Sequence, residues 1–349
     1  MAKDTLSESF SNMLMDFLKD KFNNTEFKDE NEAKELLEKI KKIDISDLFK
    51  KFLDDLAEEN LNGFKSDMYE SVMSFRAIEQ EFLARQEQKW YKAFVASEAL
   101  YILVVEAVED YSAYVNSMSD EEKEDKIWEY TALRYIHGRA LQQYLEIITL
   151  MKNGFADGAY ARWRSMYELA VISSFINKYG EKVAKAFIDA SVTDDRYEWA
   201  RESGIFTKKH RYITFNDIQK NCDMNSDIWQ QQYDLANKTV HASPQGTFNR
   251  LSTMGDVKVI PIGRSDYGIT TPAEHSAISL SQISAFFLTV FPYSTSIIAI
   301  NNINDWIDVI RELYFKSHDE VFPDDEPLWE DDSTSDTSRT KDNQSKKGS

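Results

Sequence analysis

All six prolines of this chain lie at or after Pro244, so the first 243 residues contain none. Proline lacks an amide donor and clashes with the turn before it, which is why it breaks helix interiors. A proline-free stretch this long can run as one helix after another, and only 11 glycines in 349 residues offer other places to break. The expected fold class is all-α, a helical bundle. With 42% hydrophobic residues the chain has ample material for a core.

The apolar periodicity divides the chain into elements. Residues 5–60 read as short amphipathic helices, as in "FSNMLMDFLKDKF", and residues 1–64 are expected to form a helical N-terminal arm that breaks at residues 60–63. A bundle domain is expected over residues 65–315. Its first long helical zone ends near Met118, and "SDEE" at Ser119–Glu122 reads as a capping box. The next helix should end at Asn153 and Gly154, with Asp157 capping "GAYARWRSMYELAVISSFINKY" and Gly180 closing it. Smaller helices follow, then one from Ser226 to Ala242. "DVKVIPIGRSDYGITTP" suggests a small irregular or β insertion at residues 257–269. "TPAE" reads as a helix start with Thr271 as cap, and the acidic, serine-rich residues 316–349 as a disordered tail.

The net charge of −19 is unevenly placed. Residues 1–129 carry 17 basic and 31 acidic side chains, net −14, whereas residues 130–250 carry 16 and 13, net +3. Bulk charge argues against indiscriminate nucleic-acid affinity, yet the centre escapes that repulsion. The single cysteine, Cys222, excludes an intramolecular disulfide and multi-cysteine metal clusters. No apolar run suits a signal peptide or an ordinary membrane span. A cytoplasmic protein with no membrane association and no cofactor is expected.

Phosphate-cradling glycine loops, GxSxG, HExxH and ExxH are all absent. The histidines are His137, His210, His241, His275 and His318. His210 belongs to a basic loop, His275 reads as local structure, and His318 lies at the edge of the tail. The stretch "DLANKTVHASPQG" places His241 in the last turn of a helix that Pro244 must stop, because the residue before a proline avoids the α region. At that end a histidine either complements the helix dipole or serves a site.

The helix after Asp157 is apolar on two faces and so mostly buried, yet Arg164 and Glu168 lie four apart on one of them. Buried charges need partners. The pair is either an internal ion pair or part of a polar site with Arg164 or Arg162 aimed at an anion. The preceding "RYIHGR" adds Arg134 and His137 at i, i+3.

"YARWRSMYELAV" followed by "YDLANKTVHASPQG" resembles an uncharacterised bacterial helical family, domain of unknown function 5677, over roughly residues 95–290. The matching positions are Arg164, Glu168, Tyr233, Asn237, His241 and Ser243. That family is remotely similar to the HEPN (higher eukaryotes and prokaryotes nucleotide-binding) helical bundles. Many of those are metal-independent ribonucleases of phage-defence and toxin–antitoxin systems, and they commonly act as homodimers. Their motif pairs an arginine, for charge developing on phosphate, with a histidine base. Here Asn237 and His241 match that motif, but Ala236 occupies the arginine position.

The resemblance implies a HEPN-like module that binds RNA or a nucleotide, with His241, Arg164 and Glu168 as candidate catalytic residues. Arg162, Arg134, His137, Asn237, Tyr233 and Ser243 are the candidate binding residues, and no metal is expected. A homodimer is implied. The alternatives are a metal-independent ribonuclease, or an interaction protein that captures a protein partner through residues 5–60.

Overall fold

The computed structural model describes residues 2–22, 30–42, 44–193, 196–207, 211–224, 227–241, 243–248, 250–253 and 262–329. Among these residues the chain is mostly α-helical with short 3-10 turns and no strand, as the proline distribution leads one to expect. Packing divides the chain into two units, Met1–Glu79 and Gln80–Ser349.

The first unit holds α1 (Ala2–Phe22), α2 (Glu30–Lys41) and the start of α3 (Ser46–Ser117). Phe10 meets Phe49 edge-on at 4.9 Å and Phe52 at 5.3 Å, which seats α1 against the start of α3. α3 runs unbroken through residues 60–63, where a break was expected. A glycine inside a helix costs only about 1 kcal/mol relative to alanine, too little to end one flanked by Leu, Glu and Lys. The boundary between units accordingly falls beyond residue 64, the expected end of the arm.

The second unit contains the rest of α3, then α4 (Asp120–Lys123), α5 (Ile127–Lys152), α6 (Ala156–Tyr179) and α7 (Glu181–Asp189). It continues with α8 (Phe215–Asn221), α9 (Asp227–Val240), α10 (Pro244–Phe248), α11 (Thr270–Leu288) and α12 (Ser294–Val321). α11 is the central element and packs against α5, α6 and α12. Its buried face is rich in small residues, including Ala273, Ser276, Ala277 and Ser284, which let neighbouring backbones approach. Large side chains fill the remaining space, with Trp90, Tyr111, Trp163, Phe175, Phe287 and Tyr314 fully buried.

Ser119 caps α4 through the expected box with Glu122. Gly154 ends α5 at φ +73°, and a Cβ there would lie 2.6 Å from the Phe82 ring and 2.8 Å from the Ser265 carbonyl, so only glycine fits. Two expected caps do different work. α6 begins at Ala156, and the Asp157 carboxylate instead receives the amide of Leu251 at 2.8 Å and the hydroxyl of Ser252, pinning that segment to α6. α11 begins at Thr270, before the expected Thr271 cap, and Glu274 instead accepts from Arg311 Nε on α12 at 2.6 Å.

The insertion expected at residues 257–269 lies partly outside the described residues, and residues 262–269 form bends. Residues 316–329 are ordered rather than tail. α12 continues to Val321, and the Asp319 carboxylate accepts the amides of Leu328 and Trp329 at 2.9 and 3.0 Å. Residues 330–349 and His210 lie outside the described residues. No helix among the described residues is long and apolar enough to cross a membrane.

Candidate functional site

Helical spacing places Arg164 and Glu168 one above the other on α6. Arg164 Nη2 lies 2.9 Å from Glu168 Oε1. α9 packs across this face and brings Tyr233 and Asn237, again four residues apart. Tyr233 donates its hydroxyl proton to the same Glu168 oxygen at 2.8 Å, and Arg164 Nε donates to Asn237 Oδ1. The guanidinium also sits 5.5 Å from the centre of the Tyr233 ring, within reach of a cation–π contact. Burial, followed by the Glu168 carboxylate, pushes the Tyr233 hydroxyl up to about 12, so it stays protonated and acts as a donor.

The network is paired but not sealed. The Arg164 and Glu168 side chains retain 23% and 16% of their exposure. Among the described residues Arg164 Nη1 takes no hydrogen bond, and it is not one of the wholly buried unpaired atoms, so it keeps some access to solvent.

An aromatic wall backs this network. Tyr160, Trp163 and Tyr167 of α6 stack in succession and meet Trp229 and Tyr233 of α9. His275 of α11 lies 4.8 Å from the Trp163 ring, and burial drops its pKa to about 4, leaving a neutral imidazole whose Nδ1 has no partner. By its place in the sequence His275 reads as local structure only. The signal that could have marked this wall is the spacing of aromatics at 160, 163 and 167 on one helix and at 229 and 233 on another.

The remaining candidates lie apart from the network or at its margin. His241 follows the last residue of α9, its amide bonded to the Asn237 carbonyl at 3.0 Å and its side chain exposed. Ser243 works at the junction of helices, where its Oγ accepts the Gly246 amide at 3.0 Å at the start of α10. Arg162 turns the other way and pairs with Glu146 of α5. Arg134 is exposed, whereas His137 is fully buried, donating to or accepting from Ser284 Oγ at 2.9 Å with its ring 5.2 Å from Phe287. Burial lowers His137 to about 4. The edge of the buried face of α5 passes between these two residues, so they do not act as a pair of cations.

A cavity of about 520 Å³ opens between α5, α7 and the 3-10 turn Glu198–Ser203. Its walls include Tyr135, Phe187 and Trp199, and among the described residues Arg196 is the charged one that lines it. The next residue, Tyr197, feels the charges of Arg196, Glu168 and Arg164. Among the described residues no cluster of His, Cys, Asp and Glu could hold a metal.

No curated protein and no solved structure matches the chain. The family match is narrower than the resemblance over 95–290 implies, and Tyr233, Asn237, His241 and Ser243 lie outside it. Over residues 130–202, which include Arg164, Glu168, Tyr135, Arg196 and Trp199, the chain matches the model of a family of unknown function, DUF5677.

Proposed function

We propose that the second unit is a HEPN-like helical module that binds RNA or a nucleotide, with Arg164 as its phosphate contact. The observation that carries this reading is the guanidinium itself. Glu168 and Asn237 fix one part of its planar fork, and Nη1 has no partner among the described residues and is not wholly buried. A held arginine with a free edge suits a phosphate oxygen, because little side-chain freedom is lost on binding. The apolar cavity beside Arg196 has the size and the aromatic walls that a base requires. The near-neutral centre of an otherwise acidic chain supports the same reading. The proposal retains a setting in bacterial phage defence or a toxin–antitoxin system.

Binding is favoured over cleavage. A HEPN-type ribonuclease needs an arginine where Ala236 stands, and Ala236 is fully buried, pointing into the core rather than toward a ligand. The test offers a labelled single-stranded RNA oligonucleotide and, separately, a nucleoside triphosphate to the full chain at low salt. One of them should bind, with an affinity that falls as salt rises. Absence of binding by both contradicts the proposal. EDTA-resistant cleavage leaving cyclic phosphate ends would replace it with the ribonuclease reading.

A further inference from the structure

α3 carries one apolar face along most of its length. Leu61, Phe64, Met68, Val72, Phe75 and Ile78 recur at spacings of three and four, and Phe82, Trp90, Ala93 and Leu100 continue the same row. In the second unit the row is covered, with Trp90, Ala93 and Leu100 fully buried. From Leu61 to Ile78 it is bare. Phe64, Phe75 and Ile78 are 63%, 60% and 64% exposed, and every residue from 57 to 78 is exposed. A bare apolar face of this extent on a water-soluble helix marks an interaction surface.

We infer that this face is the seam of an antiparallel two-stranded coiled coil formed with a second copy of the chain. The row has the heptad form, with Leu61, Met68 and Phe75 as one set of seam positions and Phe64, Ser71 and Ile78 as the other. In an antiparallel pair these sets complement each other. Leu61 meets Ile78, Phe64 meets Phe75, and Met68 meets the small Ser71.

The charges favour this occupant and this direction. Residues 61–79 hold Lys65 and Arg76 against Asp67, Glu70 and Glu79, so they are almost neutral within a strongly acidic half of the chain. A parallel pair would set all four of Asp54, Asp55, Glu58 and Glu59 beside their own copies, whereas the antiparallel register brings only Glu58 and Glu59 near acids, Glu79 and Glu81 of the other copy. Covering six side chains of this size on both copies removes on the order of 1,200 Å² from water, enough for a specific interface. The seam lies beyond residues 5–60, where sequence alone places partner capture.

The full chain should have the mass of two chains by light scattering at tens of micromolar. The double substitution Phe64→Glu and Phe75→Glu should reduce it to one chain without changing the far-ultraviolet circular dichroism, because both positions are exposed. Direction is read by oxidation. Cys222 is buried and does not compete. A mixture of Leu61→Cys and Ile78→Cys chains should form the mixed disulfide at least tenfold faster than Leu61→Cys alone forms its own. A wild-type chain that stays single, or a dimer that survives the double substitution, overturns the inference. Leu61→Cys pairing with itself as readily as with Ile78→Cys overturns the antiparallel seam.

Discussion

Polar residues enter the bundle at two places in opposite ways. At His137 the environment is fully closed, the imidazole is held neutral, and its hydrogen-bond partner is a serine hydroxyl. At Arg164 the environment is only partly closed, a carboxylate and an amide pair with the guanidinium, and the side chain keeps 23% of its exposure. A closed site expels charge because desolvating an ion costs more than one hydrogen bond returns. A partly closed site can hold a charge if it is paired, and then it can also present that charge. The first arrangement secures packing between α5 and α11. The second suits a ligand.

The contrast is sharpest under substitution. Glu168→Ala removes a partner from both Arg164 and Tyr233, and should destabilise the fold by about 3 kcal/mol, as expected for breaking a largely buried pair. Denaturant titration measures this, and a loss below about 1 kcal/mol would mean that the network is solvated rather than paired.

The His137 environment should show itself in pH dependence. An unfolded histidine titrates near 6.5, while His137 in the fold titrates near 4. As pH falls below 6.5 the unfolded chain takes up a proton that the folded chain refuses. The stability contribution is therefore full above pH 6.5, declines below it, and levels off near pH 4, for a total of about 3 kcal/mol. His275 acts in the same direction. Melting temperatures across pH 4–7 should fall less steeply for His137→Gln than for wild type, and identical slopes would show that His137 is accessible to protons.

Smaller effects belong to the end of α9. Ser243→Ala loses the acceptor for the Gly246 amide and should cost about 1 kcal/mol. His241→Ala should change stability by less than about 0.5 kcal/mol, because its side chain is exposed. A larger loss at His241 would place its ring in the packing.

How much of this was legible in the sequence depends on distance along the chain. The i, i+4 relation of Arg164 and Glu168 is local, so helical spacing alone exposes it. The stop of α9 before Pro244 and the turns at Gly154 and Gly180 are local for the same reason. Tyr233 and Asn237 come from a helix about seventy residues on, and only the family resemblance brought them forward. The pairing of Arg134 with His137 failed because α5 is buried over a wide arc whose edge falls between them. Asp157 and Thr271 look like caps by composition, yet Ser252 claims the Asp157 carboxylate, and Glu274, three residues after Thr271, is claimed by Arg311, through contacts that no local pattern records.

The central claim is that Arg164 is held in place in order to contact phosphate. Arg164→Lys tests it most directly, because a lysine keeps the charge and can still pair with Glu168 but lacks the guanidinium's second edge. RNA and nucleotide binding to wild type and Arg164→Lys would be measured by fluorescence anisotropy in low salt, alongside melting temperatures. The account predicts a loss of affinity of at least tenfold with the melting temperature nearly unchanged. Equal affinity in the two proteins, or a fall in melting temperature large enough to account for the lost binding, would contradict it.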